Sequence, residues 1–216
     1  MTMKREGKVF LDSNIIMLAA SFHTYDVIGW INTLYDHIYI HATVLSELLI
    51  DPARSAALQM IRQGYWQLFD PDNPQHVSDE GYMLYEQYVH EMDAAFRQLN
   101  IKKQAQGRMV KSTADLGEKD SIAVALLLCA RIICSNDYDI GEVIADRQLT
   151  IFTGGEGEPE LLLHDTLEDF CYYVVRHQVA ERSNVRKFFK CSIQTDEPNR
   201  QRQKLRRLDQ RLQALE

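Results

Sequence analysis

The chain of 216 residues has no run of eighteen apolar residues, so a membrane span is not expected. Met1 to Lys8 is polar and carries no apolar core of the signal-peptide kind, which argues against a secretory leader. The four cysteines, Cys129, Cys134, Cys171 and Cys191, form no CxxC pair and no Cys/His zinc spacing. Cys129 and Cys134 lie among apolar residues and read as reduced core residues, in keeping with a cytoplasmic location. No GxGxxG follows the first apolar run, which disfavours a dinucleotide enzyme. Gly154-Gly155-Glu156-Gly157 comes late, is acidic and reads as a plain loop. Internal repeats and low-complexity segments are also missing. What remains is an ordinary globular composition, 45% hydrophobic and 25% charged, sufficient for one sizeable core with extensions.

Charge is unevenly spread. Residues 176–216 carry 11 Lys/Arg against 5 Asp/Glu, whereas residues 1–175 carry 13 against 26. An acidic body favours a cation, and a basic tail favours an anionic partner.

In chain order, Val9-Phe10-Leu11 is a short continuous apolar run suited to a buried parallel strand. Asp12 ends it, and Ser13 or Asn14 caps an expected helix to Phe22. Val27–Leu34 predicts a second helix, Ile38–Ile40 a second strand, and Thr43 the cap of a helix Val44–Ile50. Asp51-Pro52 opens a further helix with proline at its first position. Trp66–Phe69 predicts a third strand. Ser78 caps a long helix over about residues 79–104, whose apolar residues step by three or four. Glu118–Arg131 is apolar all round and is expected to be buried. Ile132–Cys134 and Leu149–Phe152 predict strands four and five, with a short helix Ile140–Ala145 between them. Thr166 to about Phe189 and Gln201–Leu215 complete the helices. Strands alternating with helices predict a three-layer α/β/α domain with a mostly parallel sheet. Residues 1–160 would form that domain, with a helical insertion at about 76–112, and residues 161–216 a C-terminal helical extension with a basic tail.

Four acids take equivalent places in this scheme. Asp12 follows strand one, Glu47 lies in the helix after strand two, Asp120 lies in the first turn of the buried helix, and Asp137 follows strand four. In a parallel sheet these positions share one edge, where ligands bind. Carboxylates gathered there repel one another unless protons or cations intervene. Oxygen ligands without a His or Cys set suit Mg²⁺ or Mn²⁺. Glu118 and Asp139 flank the group and are further candidate ligands.

The pieces Val-Phe-Leu-Asp12-Ser-Asn-Ile-Ile, His-Ala-Thr-Val-Leu-Ser-Glu47-Leu-Leu, Gly-Glu-Lys-Asp120-Ser-Ile-Ala-Val-Ala and Ile-Cys-Ser-Asn-Asp137-Tyr-Asp139 occur in an order and at intervals that resemble the PIN-domain nucleases. The resemblance spans about residues 8–153. It implies a PIN-like fold and metal-dependent ribonuclease activity, as in the toxins of many toxin–antitoxin pairs and in RNA processing. It also implies single-stranded or structured RNA as substrate, and a possible antitoxin partner. Asn14 matches the polar position that accompanies the first acid, and Ser135 the hydroxyl residue before the last acids, so both are candidate substrate contacts. The helix at 79–104 and everything after residue 160 exceed the compact toxin form.

On this reading Asp12, Asp120 and Asp137 hold one or two ions and Glu47 completes the shell or orients water. Basic residues then guide the phosphate backbone: Arg182, Arg186, Lys187 and Lys190 on one helix, or Arg200, Arg202, Lys204, Arg206, Arg207 and Arg211 on the tail. Leu205, Leu208, Leu212 and Leu215 step like a short coiled-coil seam, so the tail equally suits docking on a protein or on a second copy. Two rival readings remain. A phosphatase of the haloacid dehalogenase type needs a second Asp two residues after the first, where this chain has Asn14. A non-catalytic PIN-like module would bind RNA or protein and keep the acids incidentally.

Overall fold

The computed structural model describes residues 4–49, 51–110, 116–152 and 158–215. Its elements are, in order, β1 (Arg5–Leu11), α1 (Ser13–Ser21), α2 (Val27–Leu34), β2 (Tyr35–His41), α3 (Ala42–Glu47), α4 (Ala53–Arg62), β3 (Trp66–Phe69), α5 (Asp79–Ala105) and α6 (Leu116–Leu127). There follow β4 (Ile132–Cys134), α7 (Tyr138–Arg147), β5 (Thr150–Ile151), β6 (Glu160–Leu161), β7 (Leu163–Asp165), α8 (Leu167–Arg176), α9 (Arg182–Ser192) and α10 (Pro198–Gln213).

Five strands form one parallel sheet in the order β3-β2-β1-β4-β7. The central strand is apolar without alternation because both of its faces are covered. Val9 and Leu11 pack with Ile38, Ile40, Ile132 and Cys134 into one core, closed by α1, α2, α8, α9 and α10. Phe10 and Ile133 point the other way, into a second core closed by α5, α6 and α7. The chain is therefore an α/β protein with helices on both faces of a parallel sheet. In α6 the residues Ile122, Ala123, Val124 and Ala125 are all fully buried, which is why that helix is apolar all round.

The structure corrects the sequence reading in several places. Leu149–Phe152 does not supply the fifth strand of the sheet. Its centre, β5, pairs antiparallel with β6 in a separate two-stranded ribbon, and β7 takes the expected place beside β4. Leu163-His164-Asp165 has no β-branched residue, so only its docking against β4 makes it a strand. The single helix expected over Thr166–Phe189 is two. Gln178 takes a left-handed φ of 57°, and the Val179 N–H donates to the Val174 carbonyl in a reversal that normally calls for glycine. Helix α3 is capped by His41 rather than Thr43 and ends at Glu47. Helix α6 starts before Gly117 and stops at Leu127. Cys134 is in the core, but Cys129 is exposed. The expected loop Gly154–Gly157 lies outside the described residues.

The segment after residue 160 contributes the edge strand and three helices to the same sheet and core. The leucine stripe of α10 is part of this packing. Leu208 and Leu212 are fully buried, which removes them as an open seam for a second copy, and Leu215 alone of the four is exposed. Among the described residues no helix is long and apolar enough to cross a membrane.

Candidate functional site at the carboxyl edge of the sheet

From β1 the chain steps to β2 and β3 on one side, then returns to lay β4 and β7 on the other. The order reverses between β1 and β4, and in open α/β sheets the crevice beyond the carboxyl ends at that point is where ligands bind. Asp12 and the Ser135–Asp137 turn border it. The Asp12 N–H donates to the Cys134 carbonyl at 3.0 Å, which fixes the start of the turn after β1. Asp12 is only 4% exposed. It caps α1, with Oδ1 accepting from the Ser13 N–H at 2.7 Å. Oδ2 accepts from the Ser135 hydroxyl at 2.5 Å and from the Asn14 amide. Asn14 Oδ1 accepts from the Asn136 N–H at 2.9 Å, and Ser135 Oγ accepts from the Asp137 N–H at 3.0 Å. Asn14 and Ser135, expected as substrate contacts, thus hold Asp12 and lock the two turns together.

Glu47, the last residue of α3, accepts from the Ser13 hydroxyl at 2.7 Å. That hydroxyl also lies 3.3 Å from Asp12 Oδ1, but it has one proton, and the shorter contact takes it. The other carboxylate oxygen of Glu47 rests against the first turn of α6. A Cβ on Gly117 would sit 2.4 Å from Oε1, so the missing side chain is what lets Glu47 lodge there. Asp120, one turn into α6, accepts from the Thr43 hydroxyl at 2.8 Å and hydrogen-bonds Tyr85. Behind it, His41 Nδ1 accepts from the Thr43 N–H at 3.0 Å, and Nε2 meets the Tyr85 hydroxyl at 3.2 Å. Burial lowers the His41 pKa, so the ring is neutral with its proton on Nε2. His41 therefore donates to Tyr85, and Tyr85 donates to Asp120. The sequence reading missed His41, Thr43 and Tyr85 as supports of Asp120. The first two had a strand-end position as a signal; Tyr85, on a distant helix, had none.

Burial pushes the Asp12 carboxyl above its ordinary range, and the charge of Glu118 adds to this against the Ser135 and Ser13 hydrogen bonds. Burial also raises Glu47, with further contributions from the charges of Asp12, Glu118 and Asp120. These four acids form one electrostatic group. Asp137 sits beside it as the cap of α7, accepting from the Asp139 N–H at 2.9 Å. Asp139 turns away: it is buried, and Lys103 from α5 donates to it at 2.5 Å. An internal ammonium thus already balances the charge of this candidate ligand.

A hard divalent cation fits the chemistry of this group, which offers carboxylate oxygens and two acids held above their ordinary range by burial and by one another's charge. The arrangement is not a finished shell. Among the described residues no three His, Cys, Asp or Glu groups stand together as a metal-holding set, so Asp12, Asp120 and Asp137 are not gathered as the sequence reading expected. Side-chain movement of Glu47, Glu118 or Asp120 would have to complete it.

The basic residues expected to guide a phosphate backbone also change place. Arg186 is paired with Asp209 at 2.8 Å, Lys187 reaches Tyr25 at 3.3 Å, and neither these nor Arg182 lines the cleft beside Asp137. That open cleft, of about 830 Å³, is bordered instead by Asn136, Asp137 and Tyr138 and by Arg200 and Lys204 of α10. No family model, no curated protein and no solved structure matches this chain.

Proposed function

We propose that this chain is a Mg²⁺- or Mn²⁺-dependent ribonuclease with a three-layer, PIN-like fold, hydrolysing phosphodiester bonds at the carboxyl edge between β1 and β4. The observation that carries the reading is the state of Asp12. It is buried, feels the charge of Glu118, lies one hydroxyl away from Glu47, and among the described residues its hydrogen-bond partners are neutral donors only. Asp12 is a buried carboxylate that meets no cationic side chain among the described residues, and a carboxylate so placed favours an external cation. When bound, the cation supplies a water acidic enough to attack at neutral pH and offsets charge on the phosphate. The chain's own residues prepare the site. Ser135 and Asn14 fix Asp12, and the His41–Tyr85 pair fixes Asp120. Glu47, already inclined to hold a proton, accepts one at Oε1, which has no intrachain donor among the described residues. Asp137 borders the cleft through which a strand reaches these groups.

The test is thermal unfolding with Mn²⁺ followed by cleavage of a mixed single-stranded RNA. Because a ligand that binds only the native state raises its melting temperature, Mn²⁺ should stabilise the wild type and not Asp12→Asn. RNA cleavage should stop with a chelator and with that substitution. A second reading, a non-catalytic RNA- or protein-binding module, draws on the hydrogen bonds that already occupy both Asp12 oxygens. No Mn²⁺ stabilisation and no cleavage by the purified protein would select it.

A further inference from the structure

The cleft beside Asp137 contains features that the acid group does not use. Tyr138, the residue after Asp137 and the first of α7, is 40% exposed. A second, smaller cleft of about 180 Å³ is also bordered by Tyr138, Arg200 and Lys204, so open space lies on both sides of this corner. Lys204 is itself buried. Its ammonium lies 5.9 Å from the centre of the Tyr138 ring and pairs with Asp196 at 2.7 Å, which steadies the ring without leaving a free charge. Arg200 is different: it is exposed, lines both clefts and makes no ion pair among the described residues. Asn136 lines the larger cleft, and among the described residues only its backbone N–H is engaged.

We infer that Tyr138, Arg200 and Asn136 form a nucleotide subsite of this chain, in which one base of a single-stranded nucleic acid stacks on Tyr138, its phosphate meets Arg200, and its edge is read by the Asn136 amide. This deepens the nuclease reading and rests on it for the placement of the scissile bond. An exposed aromatic residue beside a guanidinium that makes no ion pair among the described residues is the pairing that single-strand binders use, since every base has a π-face and every nucleotide a charge. The subsite also gives α10 a role: its buried leucines hold the helix in place, and its N-terminal half walls the cleft.

The experiment measures binding of a fluorescein-labelled octauridylate to the full chain by anisotropy, in EDTA so that no cleavage occurs. Tyr138→Ala should weaken binding about 5- to 100-fold, and Tyr138→Phe should restore it, because stacking needs the ring and not the hydroxyl. Arg200→Gln should weaken binding and lower the slope of log K against log salt by about 0.7, whereas Arg206→Gln, the same charge change on the same helix away from the cleft, should do neither. A 4-thiouridine oligonucleotide should crosslink to the peptide containing Tyr138. Wild-type affinity in both Tyr138→Ala and Arg200→Gln, or no binding by the wild type, overturns the subsite. The two readings separate cleanly. Variant-sensitive binding without Mn²⁺-dependent cleavage keeps the subsite and removes the nuclease, and cleavage indifferent to both variants does the reverse.

Discussion

Asp12 and Asp165 are almost equally buried, 4% and 3% exposed, at the ends of two strands of one sheet, yet the fold treats them in opposite ways. Asp165 has the Arg5 guanidinium at 2.6 Å. Buried Glu168 has Arg207 at 2.8 Å and Arg211 at 3.2 Å, and buried Asp139 has Lys103 at 2.5 Å. Among the described residues Asp12 has hydroxyl, amide and backbone N–H donors instead, with the charges of Glu118 and Glu47 acting on the same group. An ion-paired buried acid serves the architecture. One surrounded by neutral donors carries its burial without a counter-charge among the described residues, and the proposed site is at that edge between β1 and β4.

The largest effect should come from turning a paired acid into an unpaired one. Lys103→Met leaves Asp139 buried without a counter-charge, which costs about 4 kcal/mol and should lower the melting temperature by about 10 °C. A calorimetric shift below about 2 °C would put Asp139 in the same class as Asp12 and break the contrast.

Next in size is a pH effect. Burial outweighs the Arg5 ion pair and pushes the Asp165 carboxyl up from 3.8 to about 6. The native state then holds this proton where the unfolded chain has lost it. The contribution to stability is fully present below about pH 4 and is lost as pH rises to about 6, by up to about 3 kcal/mol. Asp165→Asn keeps an acceptor for Arg5 and removes the titration. Its melting temperature should therefore gain on the wild type's as pH rises from 4 to 6, and parallel profiles in this window would show that pairing fully offsets burial.

Asp137→Asn should retain the cap on α7 and leave stability nearly unchanged. If the functional edge holds a cation, the loss of charge should cut Mn²⁺-dependent RNA cleavage about a hundredfold or more. A purely structural Asp137 would instead lower stability and keep activity per folded molecule.

The smallest effect should be a gain. Glu47→Gln removes the repulsion Glu47 feels from Asp12, Glu118 and Asp120 while keeping an acceptor for Ser13. Because Glu47 is exposed and its charge screened, the metal-free melting temperature at pH 7 should rise only slightly. The same substitution with Mn²⁺ present should lose that advantage. A fall in the metal-free protein would place Glu47 among the architectural acids.

Local pattern was enough to locate the strand centres Val9–Leu11, Ile38–Ile40, Trp66–Phe69 and Ile132–Cys134, the long helix from Asp79, and the acids at the ends of β1 and β4. Each depends on a few consecutive residues: an apolar run, a cap, an acid that ends a strand. The sequence therefore determined the α/β class and the edge at which Asp12, Glu47, Asp120 and Asp137 lie. Tertiary structure decided the rest, because it turned on residues far apart in the chain. Docking beside β4 made Leu163–Asp165 the fifth strand. Lys103 from α5 cancelled Asp139, 36 residues away. Burial of Leu208 and Leu212 against α8 and α9 closed the leucine seam and brought Arg200, not Arg186, to the cleft. Charge and helical period are written locally, but which charges meet, and which face of a helix is covered, are properties of the packed chain.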